Sequence, residues 1–390
     1  MSIEASSTGA VREAPCSLAA SKTGSYDYVF VGFGPSSLSL AIAIHEHDAS
    51  KRIVILEQQH RFHWKPSAFL PTNHMRTSFL QDLAMQRNPR SEFTFVNYSW
   101  EAGGRGGSQQ MDAWLNLGSM KPSREVWGQY LAWAAQKLEN MPNVEIKYGK
   151  EVIGTKAVNP PPVAAWNVAA KDTVSQTVDI LNAKKIIFAT GAKMRIPPEL
   201  RFIGLDNRVV HTGNFAELGD GLTKHKNEPS NVAVVGANNE AVEVFMHLHA
   251  ALPNATGTLF VNDRTLRPTD GSPFTAQLLH TPTGPSRILP YELRRKSPSQ
   301  PDQPSKPRPT VAEENLNGLY EMLYMQKVAY RAQRKNKFAI NFTHTVSSLT
   351  PTPGSPKVTI RLTPNTPVTT IDVPENKPYD LVVLATGDER

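Results

Sequence analysis

Residues 26–48 read YDYVFVGFGPSSLSLAIAIHEHD, and this stretch decides the fold. The continuous apolar run at its start predicts a buried strand, and the apolar residues after the glycines predict a helix. Gly32 permits a tight turn, Gly34 lets a pyrophosphate approach the helix N-terminus, and Ser37 is small enough for close helix–strand packing. The next apolar run, KRIVILE, ends in Glu57, whose carboxylate suits ribose hydroxyls. Together these features predict a dinucleotide-binding unit.

A second strand–turn–helix pattern, NVAVVGANNEAVEVF, begins at Asn231. Its turn is degenerate, because Asn238 replaces the middle glycine and Glu240 adds negative charge beside the expected phosphates. We expect nucleotide binding here, with a retained fold and weakened binding as the alternative. The turn residues expected to bind the cofactor are Gly236, Ala237, Asn238, Asn239 and Glu240.

After the next strand, Asn262 stands where an arginine that reads a 2′-phosphate is expected, and Arg264 and Arg267 are nearby substitutes. The tripeptide ATG ends an apolar run at 189–191 and again at 385–387. This repetition predicts two nucleotide-binding units, each tied to its own ATG strand. The fold class is therefore α/β, with two Rossmann-like dinucleotide-binding domains.

Composition limits the function classes. The chain has 390 residues with 39% hydrophobic and 20% charged, and no apolar run long enough for a membrane span. A net charge of +7 over this length is too dilute to indicate nucleic acid. The single cysteine, Cys16, excludes an internal disulfide or a CxxC redox pair and favours a cytoplasmic location. No metal site is expected.

Six stretches resemble the flavin-dependent L-ornithine N5-monooxygenases and L-lysine N6-hydroxylases. They are VGFGPSSL (31–38), ILEQQHRFHW (55–64), SFLQDLAMQRNPRSEFTFVNY (78–98), PSREVWGQYLAWAA (122–135), RPTDGSPF (267–274) and LATG (384–387). The resemblance implies FAD at the first turn and NADPH at the second. It also implies that FAD is lined by Glu57, Trp64, Lys65, Arg76 and Val152.

The resemblance further implies the layout of the chain and its reaction. It implies that 26–200 and 336–390 form an FAD-binding domain and 201–335 an inserted NADPH-binding domain, while composition predicts a disordered tail at 1–25 and a proline-rich insertion at 281–310. NADPH reduces the flavin, O₂ gives a C4a-hydroperoxide, and a neutral primary amine attacks it, so no side chain acts as nucleophile. The substrate is a small-molecule amine, and a homo-oligomer stays an open alternative.

Departures from the family pattern fall at the expected substrate contacts. Gln81 stands where relatives carry a lysine that grips the substrate carboxylate, and Ala276, after Thr275, replaces an expected asparagine. The lost charge-assisted contact is worth roughly 1.5–3 kcal/mol. We therefore expect a primary amine other than ornithine, in secondary-metabolite or siderophore biosynthesis.

Two alternatives stay open at this point. Baeyer–Villiger-like oxygenation of carbon or sulfur by the same flavin hydroperoxide is one. Phe202, Gly204, His211 and Phe215 loosely echo a linker signature of such enzymes, but their longer glycine-to-histidine spacing favours an ordinary interdomain linker. A catalytically impaired flavoprotein is the other, favoured by Asn238, Asn262 and Gln81. Relatives also continue well beyond the final ATG, into a segment expected to close over the flavin, which adds to the expectation of weakened activity.

Overall fold

The computed structural model describes residues 25–64, 70, 73–102, 108–158, 162–201, 208–218, 227–272, 309–329, 337–342, 344–364 and 377–389. These residues form two compact units. The first contains the described residues up to Trp64 and those of Thr77–Gly191. The second contains those of Lys65–Arg76 and everything described from Ala192 onward.

The first unit is built on a six-stranded sheet with the order β3-β2-β1-β6-β5-β4. The central strands β1, β2, β3 and β6 pair in parallel, and β4, β5 and β6 form an antiparallel meander. The strands are β1 (Tyr26–Val31), β2 (Ile53–Glu57), β3 (Val144–Tyr148), β4 (Lys150–Ala157), β5 (Trp166–Asp172) and β6 (Val178–Phe188).

The described part of this unit contains four α-helices: α1 (Pro35–His47), α2 (Phe95–Ala102), α3 (Ser108–Leu117) and α4 (Arg124–Glu139). Helix α1 begins with Pro35, which lacks the N–H that a first helical residue leaves unbonded anyway. Helix α4 begins as its sequence predicts, because the Ser123 side chain accepts a hydrogen bond from the Val126 N–H at 3.2 Å.

The second unit repeats the plan with a five-stranded parallel sheet of order β11-β10-β9-β15-β8. Among its described residues the α-helices are α5 (Asn239–Ala251) and α6 (Glu313–Ala329). The sheet strands are β8 (Val209–His211), β9 (Asn231–Val235), β10 (Thr256–Phe260), β11 (Phe338–Asn341) and β15 (Leu381–Leu384). A three-stranded antiparallel sheet holds β12 (His344–Pro351), β13 (Val358–Pro364) and β14 (Pro378–Tyr379), and β7 (Lys193–Met194) pairs with β16 (Asp388–Glu389).

The predicted α/β class with two dinucleotide-binding units is confirmed, and so is the tie of each unit to an ATG strand. Strand β6, which leads into Ala189, pairs with β1, and strand β15, which leads into Ala385, pairs with β9. The assignment of 336–390 to the first domain is corrected. The described strands of that segment lie in the sheets of the second unit, because the apolar run LVVL pairs with Val232–Val235 rather than with β1.

Several predictions fall on residues outside the described ranges. They concern nearly all of the tail at 1–25, nearly all of the insertion at 281–310, and the site residues Lys65, Thr275 and Ala276. Among the described helices there is no stretch with the length and hydrophobicity that a bilayer-spanning segment requires.

Candidate active site

The first glycine turn admits no side chain at Gly32. This residue has φ +93°, and a Cβ placed on it would lie 2.6 Å from the carbonyl oxygen of Ala189. Ser37 is fully buried, and its hydroxyl donates a 2.6 Å hydrogen bond to the Gly32 carbonyl. The small residue at this position thus closes the turn against the helix, as its place in the motif predicts.

The N-terminus of α1 is open to a ligand. Gly34 is the N-cap, and no side chain caps the helix. A Cβ placed on Gly34 would meet no atom within 4 Å, so the space beside its backbone is free. Uncapped N–H groups at the positive end of a helix are a binding site for phosphate. These residues therefore fit the pyrophosphate of a dinucleotide.

Glu57 lies at the end of β2, beside this turn. One carboxylate oxygen accepts the Phe33 N–H at 2.7 Å, and the other accepts the Gln59 N–H at 2.8 Å. An ionised carboxylate has about four acceptor sites. Each oxygen thus keeps a site for a ribose hydroxyl while the backbone fixes the carboxylate in place.

The other residues predicted to line the flavin are placed differently. Trp64 packs on α4, where a Cβ on Gly128 would lie 3.4 Å from its ring. Val152 is half-buried on β4, at the irregularity in its pairing with β5. Arg76 is exposed and belongs to the second unit. The structure thus gathers Gly32, Gly34, Ser37 and Glu57 at one turn.

The second turn has the same backbone constraint. Gly236 has φ +154°, and a Cβ on it would lie 2.4 Å from the carbonyl oxygen of Ala385. Asn238, which replaces the middle glycine, is the N-cap of α5, and its side-chain oxygen accepts the Ala241 N–H at 2.9 Å. One of the donors at this helix terminus is therefore already bonded within the protein.

The side chains of Asn239 and Glu240, which the sequence places at the cofactor, are hydrogen-bonded to other residues of the protein. Asn239 is 1% exposed, its amide donates to Glu243 at 2.6 Å, and its oxygen accepts the Ala312 N–H at 2.9 Å. The predicted cofactor contact by this side chain is corrected, because the side chain holds α5 to the start of α6. Glu240 accepts a 3.1 Å hydrogen bond from the Thr212 hydroxyl.

A cavity of about 380 Å³ lies at the carboxyl ends of β9, β10 and β15 in the second unit. Asn262 lines it as predicted, but Arg264 is exposed and is not among the lining residues. Four further lining residues come from distant parts of the chain, and of these only Thr386, in the second ATG, lies in a stretch that the sequence pattern indicated. They are Arg195, Glu199, His344 and Thr386.

The two units carry different side chains at the residue that follows the second strand's hydrogen bond to the glycine turn. The Gly32 N–H donates to the Leu56 carbonyl, and the Gly236 N–H donates to the Phe260 carbonyl, at 2.8 and 3.0 Å. The residues that follow these acceptors are Glu57 and Val261. The carboxylate of the first unit is thus replaced by a fully buried apolar side chain in the second.

Two side chains, the partly buried Asp82 and the buried Tyr130, hold the 78–98 segment in place. One carboxylate oxygen of Asp82 accepts the N–H groups of Ala84 and Met85, and the other accepts that of Phe95 at 2.7 Å. Tyr130 of α4 accepts the Leu83 N–H at 3.1 Å and donates to the Phe93 carbonyl at 2.8 Å. Burial raises the pKa of Tyr130, so its hydroxyl stays protonated.

These two side chains position Gln81, the residue predicted to contact substrate. It ends a short 3₁₀ helix, Phe79–Gln81, and lines an open groove of about 510 Å³ together with Pro35 and Ser36 at the start of α1. The groove thus joins Gln81 to the helix terminus that fits a pyrophosphate. Arg87, also in the groove, is paired with Glu46 at 2.9 Å.

Two glycine turns, each backed by an ATG strand, define a protein of the two-dinucleotide-binding-domain class. A family model described as L-lysine 6-monooxygenase/L-ornithine 5-monooxygenase matches residues 24–390. The chain belongs to this family, whose members are flavin-dependent monooxygenases that use NADPH. This confirms the resemblance carried by the six sequence stretches.

Individual relatives agree with the family. The chain is 30% identical over 368 residues to an L-ornithine N(5)-oxygenase of Arthrobotrys oligospora, covering 94% of this chain and 73% of that protein. An ornithine N-hydroxylase of Kutzneria sp. 744 has the same fold, with a TM-score of 0.77 at 24% identity over 94% of this chain and 81% of that one. So does a cadaverine monooxygenase of Erwinia amylovora, with a TM-score of 0.75 at 19% identity over 94% and 79% of the two chains.

Proposed function

We propose that this chain binds FAD at the first turn and NADPH at the second, and that it N-hydroxylates a small primary amine. The observation that carries the proposal is the pair of glycine turns that differ at Glu57 and Val261. Both turns have the backbone form of a dinucleotide site, and the difference between them supports FAD at the first and NADPH at the second.

A carboxylate at the end of the second strand of such a unit hydrogen-bonds a free ribose 2′-hydroxyl and repels a 2′-phosphate. The adenosine ribose of FAD has a free 2′-hydroxyl, which suits the first unit with Glu57. NADPH carries a 2′-phosphate, which suits the second unit, where Val261 is apolar and Asn262 lines the cavity as a neutral donor. This supports NADPH rather than NADH as the reductant.

The bound flavin would supply the redox and oxygen chemistry. The protein's share is to hold the cofactor and orient the amine. The turn at Gly32–Gly34 and the carboxylate of Glu57 would fix the adenosine half of the flavin. Gln81 offers a neutral amide to the substrate from a loop made rigid by Asp82 and Tyr130. The described residues thus position the reactants without a side-chain nucleophile.

The substrate class follows from the relatives and from Gln81. The relatives are named ornithine monooxygenases, so the expectation of an amine other than ornithine is not supported. A cadaverine monooxygenase has the same fold, and cadaverine lacks the α-carboxylate that a lysine at position 81 would pair with. We propose an aliphatic amine of this size, with ornithine first to test and cadaverine as the amine without a carboxylate.

The test uses the purified chain with added FAD. Wild-type protein is incubated with NADPH, air and each of ornithine, lysine and cadaverine, and hydroxylamine products are identified by mass spectrometry. We expect a product 16 mass units heavier than one of these amines, formed only when NADPH is present. Flavin-bound protein that oxidises NADPH without forming any hydroxylamine would contradict the proposal.

A further inference from the structure

The second turn offers a dinucleotide less positive potential than the first. The N-terminus of α1 has a glycine cap and no side-chain hydrogen bond, whereas Asn238 bonds a donor of α5. Glu240 also adds a carboxylate in the first turn of α5. Phosphate binding at a helix terminus depends on free N–H groups and a positive dipole end. A cofactor in this unit therefore needs a cation from elsewhere.

Arg195 is in the right place to supply it. Among the described residues that line the 380 Å³ cavity, it is the one arginine, and lysine is absent. The cavity is also lined by His344 and by the acidic Glu199. Within the described part of the chain, no hydrogen bond or ion pair joins the Arg195 guanidinium to Glu199 or to any other residue. The guanidinium is thus available to a ligand.

The backbone holds Arg195 firmly against the ATG strand. Its N–H donates to the Gly387 carbonyl at 2.9 Å, and its carbonyl accepts a hydrogen bond from the Thr386 hydroxyl. Just before it, β7 pairs with β16 in an antiparallel register. Because the backbone is fixed on both sides, a ligand held by the side chain does not also have to order the chain at this point.

The position of Arg195 beside the five-stranded sheet determines which part of a bound cofactor would lie near it. Strand β15 lies on one side of β9 and β10 on the other. The adenosine ribose lies over the end of the second strand of such a unit, here β10 with Asn262. Arg195 is tied to Thr386 and Gly387 after β15, on the opposite side of the turn. It would therefore face the pyrophosphate and nicotinamide half of a cofactor bound in this way.

We infer that Arg195 binds the pyrophosphate of the nicotinamide cofactor and takes over the role that Asn238 leaves unfilled. This inference rests on the proposed binding of NADPH to the second unit. Arginine pairs with phosphate through charge-assisted, often bidentate hydrogen bonds, which suits this role. Because NADPH and NADH share the pyrophosphate, Arg195 contributes equally to both.

The test measures binding rather than turnover. Kd values are determined by calorimetry for NADP⁺, NAD⁺ and adenosine 2′-phosphate, with FAD-loaded wild type and the Arg195→Gln variant. We expect the variant to bind NADP⁺ and NAD⁺ about ten-fold more weakly, in equal measure, and adenosine 2′-phosphate as the wild type does. Arg195→Lys, which keeps the charge, should lose less.

Arg201→Gln is the matched control, because Arg201 is exposed and outside the cavity lining. It should bind all three ligands as the wild type does, and all variants should unfold at the wild-type temperature. Unchanged NADP⁺ affinity in Arg195→Gln would overturn the inference, as would a loss confined to NADP⁺ and adenosine 2′-phosphate. A wild type that binds FAD but no NADP⁺ would instead overturn the proposed NADPH site itself.

Discussion

Gly32 and the carbonyl of Ala189 approach so closely that a Cβ on the glycine would lie 2.6 Å from the oxygen. Gly236 and Ala385 have the same relationship in the second unit, at 2.4 Å. The N–H of each alanine also donates to the residue before its glycine, Ala189 to Val31 at 2.9 Å and Ala385 to Val235 at 2.8 Å. The ATG strand is thus part of each dinucleotide turn.

This relationship predicts different effects of alanine at the two glycines of the first turn. Gly32→Ala should destabilise the protein by about 1–3 kcal/mol, because the new methyl group meets the Ala189 carbonyl at a positive φ. Gly34→Ala should change the free energy of unfolding by less than about 1 kcal/mol, since nothing lies within 4 Å of its Cβ. Urea unfolding of the two apoproteins measures both values.

Flavin content then separates the two roles. Gly34→Ala should fold and yet retain less FAD, because its methyl group occupies the space through which a pyrophosphate approaches. FAD per chain is read from the absorbance of protein reconstituted with excess FAD. A folded Gly34→Ala variant with full flavin content would contradict the assignment of FAD to this turn.

If NADPH binds the second unit as proposed, cofactor selectivity depends on the absence of negative charge at Val261 and Asn262. Asn262→Asp places a carboxylate at the mouth of the cavity, where it would repel a 2′-phosphate. We expect the Kd for NADP⁺ to rise about ten-fold and that for NAD⁺ to change little. Arg264→Gln is the comparison, and it should have little effect, since Arg264 is exposed and does not line the cavity. Equal losses for both cofactors in Asn262→Asp would refute this placement.

The local elements of both units could be predicted because their signals are local. In the strand–glycine–helix patterns at 26–47 and 231–251, a few neighbouring residues are enough to predict each strand, turn and helix. The sheet to which LVVL at 381–384 belongs could not be predicted. An apolar run predicts that a strand is buried, but it does not predict the neighbouring strand. That neighbour depends on packing with residues far away in the chain, here Val232–Val235.

Tyr130 predicts a coupling between stability and substrate binding. Tyr130→Phe leaves the buried Leu83 N–H and Phe93 carbonyl without their partner, which should cost about 2 kcal/mol. The looser loop should raise the KM for the amine through Gln81 and leave the Kd for NADP⁺ unchanged. Tyr320→Phe, at a position 75% exposed, is the control and should alter neither. Equal changes in the amine KM and the NADP⁺ Kd would indicate a general loss of structure instead.

The second unit makes stability depend on pH. Burial lowers the pKa of His211, His247 and His249, with Lys337 adding to the effect at His249. The unfolded chain therefore binds protons at these histidines more readily than the folded one, so stability is full above about pH 6.5 and falls as the pH drops below it. Urea unfolding at pH 7.5 and 5.5 should give a lower free energy at pH 5.5. Equal values would contradict the burial of these rings.

The candidate site could be predicted only where its residues share a motif. Gly32, Gly34, Ser37 and Glu57 follow one another in the chain, and the structure gathers them at one turn. Arg195 lies far from the second turn in sequence and reaches the cavity because its backbone is bonded to Gly387. Asn239 sits inside the motif, yet its amide turns inward to Glu243, since a buried carboxylate needs donors. The i,i+4 spacing of Asn239 and Glu243 on α5 is compatible with this bond, but no sequence spacing reveals the position of Arg195.

The origin of the oxygen atom in the product tests the central claim most directly. The FAD-loaded chain is incubated with NADPH and the accepted amine under ¹⁸O₂ in ordinary water, and the product is examined by mass spectrometry. Flavin-dependent N-hydroxylation predicts one ¹⁸O atom on the amine nitrogen, with formation dependent on NADPH. NADPH oxidation that yields only hydrogen peroxide, or a product whose oxygen comes from water, would contradict the account.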